Sequence, residues 1–236
     1  MPFPTCLRGV LAAACLAISV ALPSAANAQS SAAPAVLSLP TVPPKGAVVL
    51  FSGKESELAT LWQKRYTTNP PGWKVENGVA VPADKTDIRT TREFGDFLLH
   101  IEFRTPTQGG GNSGVGLQGR YEVQIFNTFG KEPDTHNGAA FYSQKAAKVN
   151  ASGQPGAWQS YDILFRAPRF NEKGEVVEKP RATVLWNGVV VQNNEEFVGM
   201  TGIQYGEYKE MKPTGPIVLQ GDHDPVQFRN IWVVPM

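Results

Sequence analysis

Residues 118–126 read QGRYEVQIF. Tyr121, Val123 and Ile125 alternate with Arg120, Glu122 and Gln124, the period of two that sends neighbouring side chains to opposite faces of a sheet. The apolar set is bound for a core. That leaves a carboxylate, Glu122, on the other face between a cation and an amide. The same alternation recurs in FLLHIEFR (97–104), with Phe97, Leu99, Ile101 and Phe103 inward and Leu98, His100, Glu102 and Arg104 outward. In WQSYDILFR (158–166) it sets Tyr161, Ile163 and Phe165 against Asp162, Leu164 and Arg166.

Shorter strand signals surround these: AVVLF (47–51), WKV (73–75), VAV (79–81), VGL (115–117), AAFY (139–142), ATVLW (182–186), VVVQ (189–192), PIVLQ (216–220) and QFRNIWVV (227–234). Asn77-Gly78 and Asn187-Gly188 specify two hairpins, because Asn-Gly suits turns whose two central residues both need positive φ. Only 55–63 (ESELATLWQ) reads as helical, with Ser52 or Ser56 as its cap. Many short strands, one short helix and no long repeat predict an all-β, two-sheet antiparallel jelly-roll sandwich.

Residues 1–28 read as a signal peptide: Arg8, an apolar run from Val10 to Leu22, and Ala26-Asn27-Ala28 as the cleavage site. The run is too short to span a bilayer, which takes about 20 residues. Cys15 lacks the surroundings of a lipoprotein box. A Ser/Ala/Pro-rich tether is expected over 29–46 and a single domain over 47–236, exported to the periplasm or beyond. Both cysteines, Cys6 and Cys15, fall in the leader, which excludes disulfides and thiolate metal sites from the mature chain. The chain has 22 basic residues, one of them Arg8 in the leader, against 21 acidic. Balanced and scattered charge gives no footing for nucleic acid.

Two polar concentrations sit near the Glu122 strand in this reading. Gly109–Gly114 (GGGNSG) lets backbone approach a ligand closely, as it would also suit a loose hairpin end. Gln220-Gly221-Asp222-His223-Asp224-Pro225 puts three titratable groups on one loop, as a solvated turn also would. His136 is read as a rim residue and His100 as solvated. Trp73, Trp158 and Trp232 are expected in the core, and Trp186 is read as a surface on which a sugar could stack.

The blocks NSGVGLQGRYEVQIFNT (112–128), AWQSYDILFRAPRF (157–170), ATVLWNGVVVQNNEE (182–196) and TGPIVLQGDHDPVQFRNIWV (214–233) closely resemble the 3-keto-disaccharide hydrolase family. Its fold is similar to concanavalin A-like lectins and glucanases. The resemblance runs from about Gly46 to the C-terminus and implies cleavage of a glycoside already oxidised to a ketone at C3. The family's strand glutamate falls on Glu122, its Asn-Ser-Gly on 112–114 and its Gly-Asp-His on 221–223. Asp224, Trp186 and Asn127-Thr128 depart from the family pattern and bear on the choice of substrate.

An ordinary glycosidase needs two carboxylates, whereas the same-face neighbours of Glu122 on its strand are Arg120 and Gln124. A 3-keto sugar needs one base at C2, stabilisation of an enolate and an acid for the leaving oxygen. Glu122 or His223 is the expected base, with His223 favoured because an opposing arginine would lower the glutamate's pKa. Arg120 would polarise the ketone, and Asp222 would orient His223 or protonate the aglycone. Asn112, Gln118, Gln124 and Gln220 would bind the sugar. The alternative electrophile is a divalent cation, which Glu122, Asp222 and His223 could hold in place of Arg120. The competing reading is a lectin-like binding module without catalysis.

Overall fold

The computed structural model describes residues 1, 41–201 and 211–236. The expected leader and positions 29–40 of the tether therefore lie, save for Met1, outside the described residues. Contacts divide the chain into Met1–Ala33 and Pro34–Met236, and every element below belongs to the second unit.

The larger sheet is built from β1 (Val48–Phe51), β3 (Lys74–Glu76), β4 (Val79–Val81), β6 (Phe97–Arg104), β9 (Gln159–Arg166), β12 (Arg181–Trp186), β13 (Val189–Glu196) and β15 (Gln227–Pro235). Its order is β13-β12-β9-β6-β15-β4-β3, with β1 also paired to β15. The smaller sheet contains β2 (Trp62–Lys64), β5 (Ile88–Phe94), β7 (Ser113–Leu117), β8 (Tyr121–Ile125) and β14 (Gly215–Leu219). It is ordered β2-β5-β14-β7-β8. A two-stranded ribbon, β10 (Arg169–Phe170) with β11 (Val176–Glu178), stands apart. All of these pairings are antiparallel. The architecture is the expected jelly-roll sandwich.

Alternation fills the core. Phe97, Leu99, Ile101, Phe103, Tyr161, Ile163 and Phe165 of the larger sheet are fully buried, as are Val115, Leu117, Tyr121, Val123 and Ile125 of the smaller one. Both Asn-Gly hairpins form, with Asn77, Gly78, Asn187 and Gly188 all at positive φ. The helix α1 (Glu55–Leu61) is shorter than expected. Trp62 turns extended and donates Nε1–H to the Leu50 carbonyl at 3.0 Å. Ser52 takes no cap position; its N–H and hydroxyl bind the Glu57 carboxylate instead.

Three aromatic or polar expectations are corrected. Trp158 lies outside the core, with Arg104 and Arg229 over its ring at 4.8 and 4.1 Å. Trp186 is 1% exposed and its Nε1–H donates to Gln159 Oε1 at 2.9 Å, so it has no face for a sugar. His100 points away from the core as read, but it is buried. Its Nδ1 lies 2.6 Å from Asp162 Oδ1, and the ring stacks on Trp232.

Candidate active site

The outward face of the smaller sheet carries the site. In the β7–β8 register Gly116 lies opposite Glu122 and Gly114 opposite Gln124, so β7 offers no side chain to this face beside the glutamate. The space is required: a Cβ on Gly114 would stand 2.5 Å from Glu122 Oε1. Next to β7, the end of β14 brings in Gln220, whose N–H donates to the Gly114 carbonyl at 3.1 Å. The Gln220 carbonyl accepts from Ser113 Oγ at 2.8 Å. Its side chain in turn hydrogen-bonds the Glu122 carboxylate. Gln124 adds a second amide, with its nitrogen 2.9 Å from Glu122 Oε1 in the orientation that also donates to the Ser113 carbonyl.

Across the sheet, Arg65 follows β2 and Asp87 precedes β5. Arg65 Nη1 donates to Asp87 Oδ2 at 2.9 Å and Nη2 to the Gly119 carbonyl at 3.2 Å. Asp87 Oδ1 also accepts the Gly221 N–H at 3.1 Å. The Asp87 carboxyl lies beside that of Asp222 and raises it. Gly221 can hold this tight corner because a Cβ there would meet the Thr86 carbonyl and the Trp73 ring at 2.6 Å.

Burial dominates the electrostatics. It pushes the Glu122 carboxyl up to about 7; the Gln220 hydrogen bond and Arg65 oppose this, and the charges of Asp87 and Asp222 reinforce it. Asp222 is also raised, first by burial and then by Asp87, with His223 opposing. Three carboxyls thus compete for charge beside one bound guanidinium. Like charges this close disfavour one another's ionised form.

The structure sorts the expected residues. Glu122, Gln220, Gln124 and Asp222 gather on this face. His223 is half-exposed beside Asp222, with Nε2 3.5 Å from Oδ1. Asn112 flanks Gln124, 3.1 Å from its amide, and is held by Asp224, which accepts its N–H at 2.7 Å. Gln118 does not take part: it is 1% exposed and donates to the carbonyls of Phe94 and Pro213. Arg120 sits in the β7–β8 turn with Nη1 on the Gln118 carbonyl, near Gly215 at the end of β14 remote from Gln220. The arginine whose charge bears on Glu122 is Arg65. Arg65 and Asp87 were not read from the sequence; charged residues flanking short extended runs were the only signal. Among the described residues, no three His, Cys, Asp or Glu side chains are arranged to hold a metal ion.

A two-layer antiparallel sandwich with an acid–base cluster on one sheet face defines the class of protein. Within that class, the chain belongs to the 3-keto-alpha-glucoside-1,2-lyase-like domain family, whose model matches residues 46–234. It is similar to a "putative glycosyl hydrolase" of Parabacteroides distasonis ATCC 8503, with 36% identity and a TM-score of 0.73 over 82% of this chain and 85% of that one. A second structure under the same description and from the same organism shares 22% identity, with a TM-score of 0.60 over 81% of this chain and 94% of that one. The latter speaks to the fold alone. No curated protein matches the chain.

Proposed function

We propose that this domain cleaves the glycosidic bond of 3-keto-glycosides, with Glu122 removing the proton at C2. The ketone acidifies that proton, and the resulting enolate expels the aglycone from C1. Water added back across the double bond completes a hydrolysis; release before that step gives a lyase product. Family membership and the 36% identical structure support the substrate class.

The observation that carries the mechanism is the single glutamate held near 7 on the outward face of the smaller sheet, beside the Gln220 and Gln124 amides. A general base works best when its pKa lies near the operating pH. Arg65, opposed by burial and two carboxyls, does not depress Glu122, which reverses the preference for His223. Arg65, fixed by Asp87, supplies positive charge for the enolate oxygen, and Asp222, raised by burial and by Asp87, stands beside it. Gln124, Gln220 and Asn112 provide amides for sugar hydroxyls. With an export leader expected over residues 1–28, the reaction is assigned to the periplasm or the extracellular space.

The nearness of Asp87 and Asp222 to Glu122 favours one further reading, a conventional glycosidase using two carboxyls. A lectin has less use for such a cluster. Turnover of a 3-keto-glucoside in heavy water separates the readings. Deuterium should enter C2 of the product with the wild type, and turnover should be lost in Glu122→Gln. Retained protium at C2 would overturn the mechanism, and equal cleavage of unoxidised glucosides would favour the conventional glycosidase.

A further inference from the structure

The sheet face around Glu122 has a second border, on the side away from Asp87 and Asp222. Residues 139–142 run along the outer edge of β8: the Gln124 N–H donates to the Ala140 carbonyl and the Tyr142 N–H to the Glu122 carbonyl. Phe141 bridges to Val123 and enters the core, so alternation turns Tyr142 to the same face as Glu122. Ser143, next in the chain, is held at φ 58, a left-handed conformation that disfavours a residue with a Cβ.

In that conformation Ser143 Oγ lies 2.8 Å from His136 Nε2. His136 Nδ1 lies 3.2 Å from Asp134 Oδ1, which also accepts the His136 N–H at 2.9 Å. The Tyr142 ring meets His136 edge-on at 5.2 Å. This is the connectivity of a serine–histidine–aspartate triad. It is not set up for acyl transfer, which needs free amide donors for an oxyanion. The Ser143 N–H is given to the Thr135 carbonyl and the Gln144 N–H to the Phe141 carbonyl, both at 2.8 Å. What remains is a path for a proton.

We propose that Ser143, His136 and Asp134 form the proton relay that serves the leaving-group oxygen, at the β8 edge on the side of Glu122 away from the Asp87–Asp222 pair. This rests on the C2-proton mechanism above. As the C1–O bond breaks, its electron pair goes to the aglycone oxygen, which takes the Ser143 hydroxyl proton. Ser143 takes the Nε2 proton of the His136 imidazolium, which becomes neutral while Nδ1–H still donates to Asp134. On the return, water adds through oxygen to C1, its second proton passes through Ser143 to His136, and Glu122 returns its proton to C2. Ser143 is the catalytic residue of the relay, and His136 and Asp134 act through it.

Leaving-group dependence tests this. Wild type, Ser143→Gly, which suits the left-handed backbone, and His136→Gln are compared on a 3-keto-disaccharide and on 4-nitrophenyl 3-keto-glucoside. A sugar alkoxide must be protonated as it leaves, whereas nitrophenolate need not be. Both variants should lose about 100-fold in kcat/KM on the disaccharide and stay within about threefold of wild type on the nitrophenyl substrate. Equal losses on both substrates, or none on the disaccharide, would overturn the relay while leaving the base assignment standing. Failure of the wild type on both ketones would remove the base assignment and the relay with it.

Discussion

The two sheets each carry a polar cluster on their outward face, and the clusters differ in how their charges are met. On the larger sheet, His100 meets Asp162 at 2.6 Å, and Glu102 accepts from Arg229 Nε at 2.6 Å and Asn230 Nδ2 at 2.8 Å. Burial alone would raise Glu102, but the Asn230 and Arg229 hydrogen bonds outweigh it and hold the carboxyl below its usual range. On the smaller sheet, Glu122 is raised to about 7 and Asp222 is raised with it. Similar residue types thus give a cluster with a lowered carboxyl in one place and one with raised carboxyls in the other. The difference is the supply of donors: Arg65 is bound to Asp87 and Gly119, and an amide from Gln220 is too weak to hold Glu122 ionised. A carboxyl left short of donors is one that can exchange protons with a substrate.

The sharpest way to break this contrast is substitution in each cluster with the same assay. Glu122→Gln should lower kcat/KM on a 3-keto-glucoside by about 1000-fold, while His100→Asn should leave it within about twofold once folding is verified. Comparable losses would mean that the larger sheet also takes part in the chemistry. Next in size is Gly114→Ala. The added methyl must displace the Glu122 carboxyl or shift β7, and a misplacement of about 1 Å costs roughly 100-fold. Unchanged kcat would show that the position of Glu122 is not critical.

The cluster on the larger sheet should answer in stability instead. Asp162→Asn removes the charged acceptor from a buried histidine and should cost about 2–3 kcal/mol in denaturant unfolding, with kcat/KM unchanged. A loss of activity without loss of stability would place the cluster with the working site.

Much of this contrast could be read from alternation, and the missing part has a physical cause. The faces of Glu122, Gln124, His100 and Asp162 followed from a period of two in long apolar strands. Arg65 and Asp87 were missed because the strands beside them were missed. β2 has three residues, and β5 (IRTTREF) turns a polar Thr90 into the core, where its hydroxyl donates to the Arg92 carbonyl. Burial also escaped the pattern. Parity placed His100 on the outer face but could not show that Asn230 stands over it, itself bonded to the Thr41 carbonyl. Gln118 and Trp186 were misread for the same reason: their partners, at Phe94, Pro213 and Gln159, are distant in sequence.

The smallest expected effect is also the most direct probe of the raised carboxyl. Glu122 has a folded pKa of about 7 against 4.5 for an ordinary glutamate, so the native state binds this proton more tightly than the unfolded chain does. Stability contributed by the group is therefore full below about pH 4.5, declines as the pH rises through the interval to about 7, and levels off above it. Glu122→Gln carries no such charge. Relative to wild type it should gain about 1–2 kcal/mol at pH 8, less than the 1.36 kcal/mol per unit would give for the whole shift, because the carboxyl is only partly shielded from solvent. The gain should vanish near pH 4. Glu102→Gln should show the reverse sign at pH 8, since its lowered pKa makes the ionised form the stabilising one. Urea midpoints of the three proteins at pH 4, 6 and 8 would read both signs, and a Glu122 variant that tracks wild type across that range would mean its carboxyl is solvated like any surface glutamate.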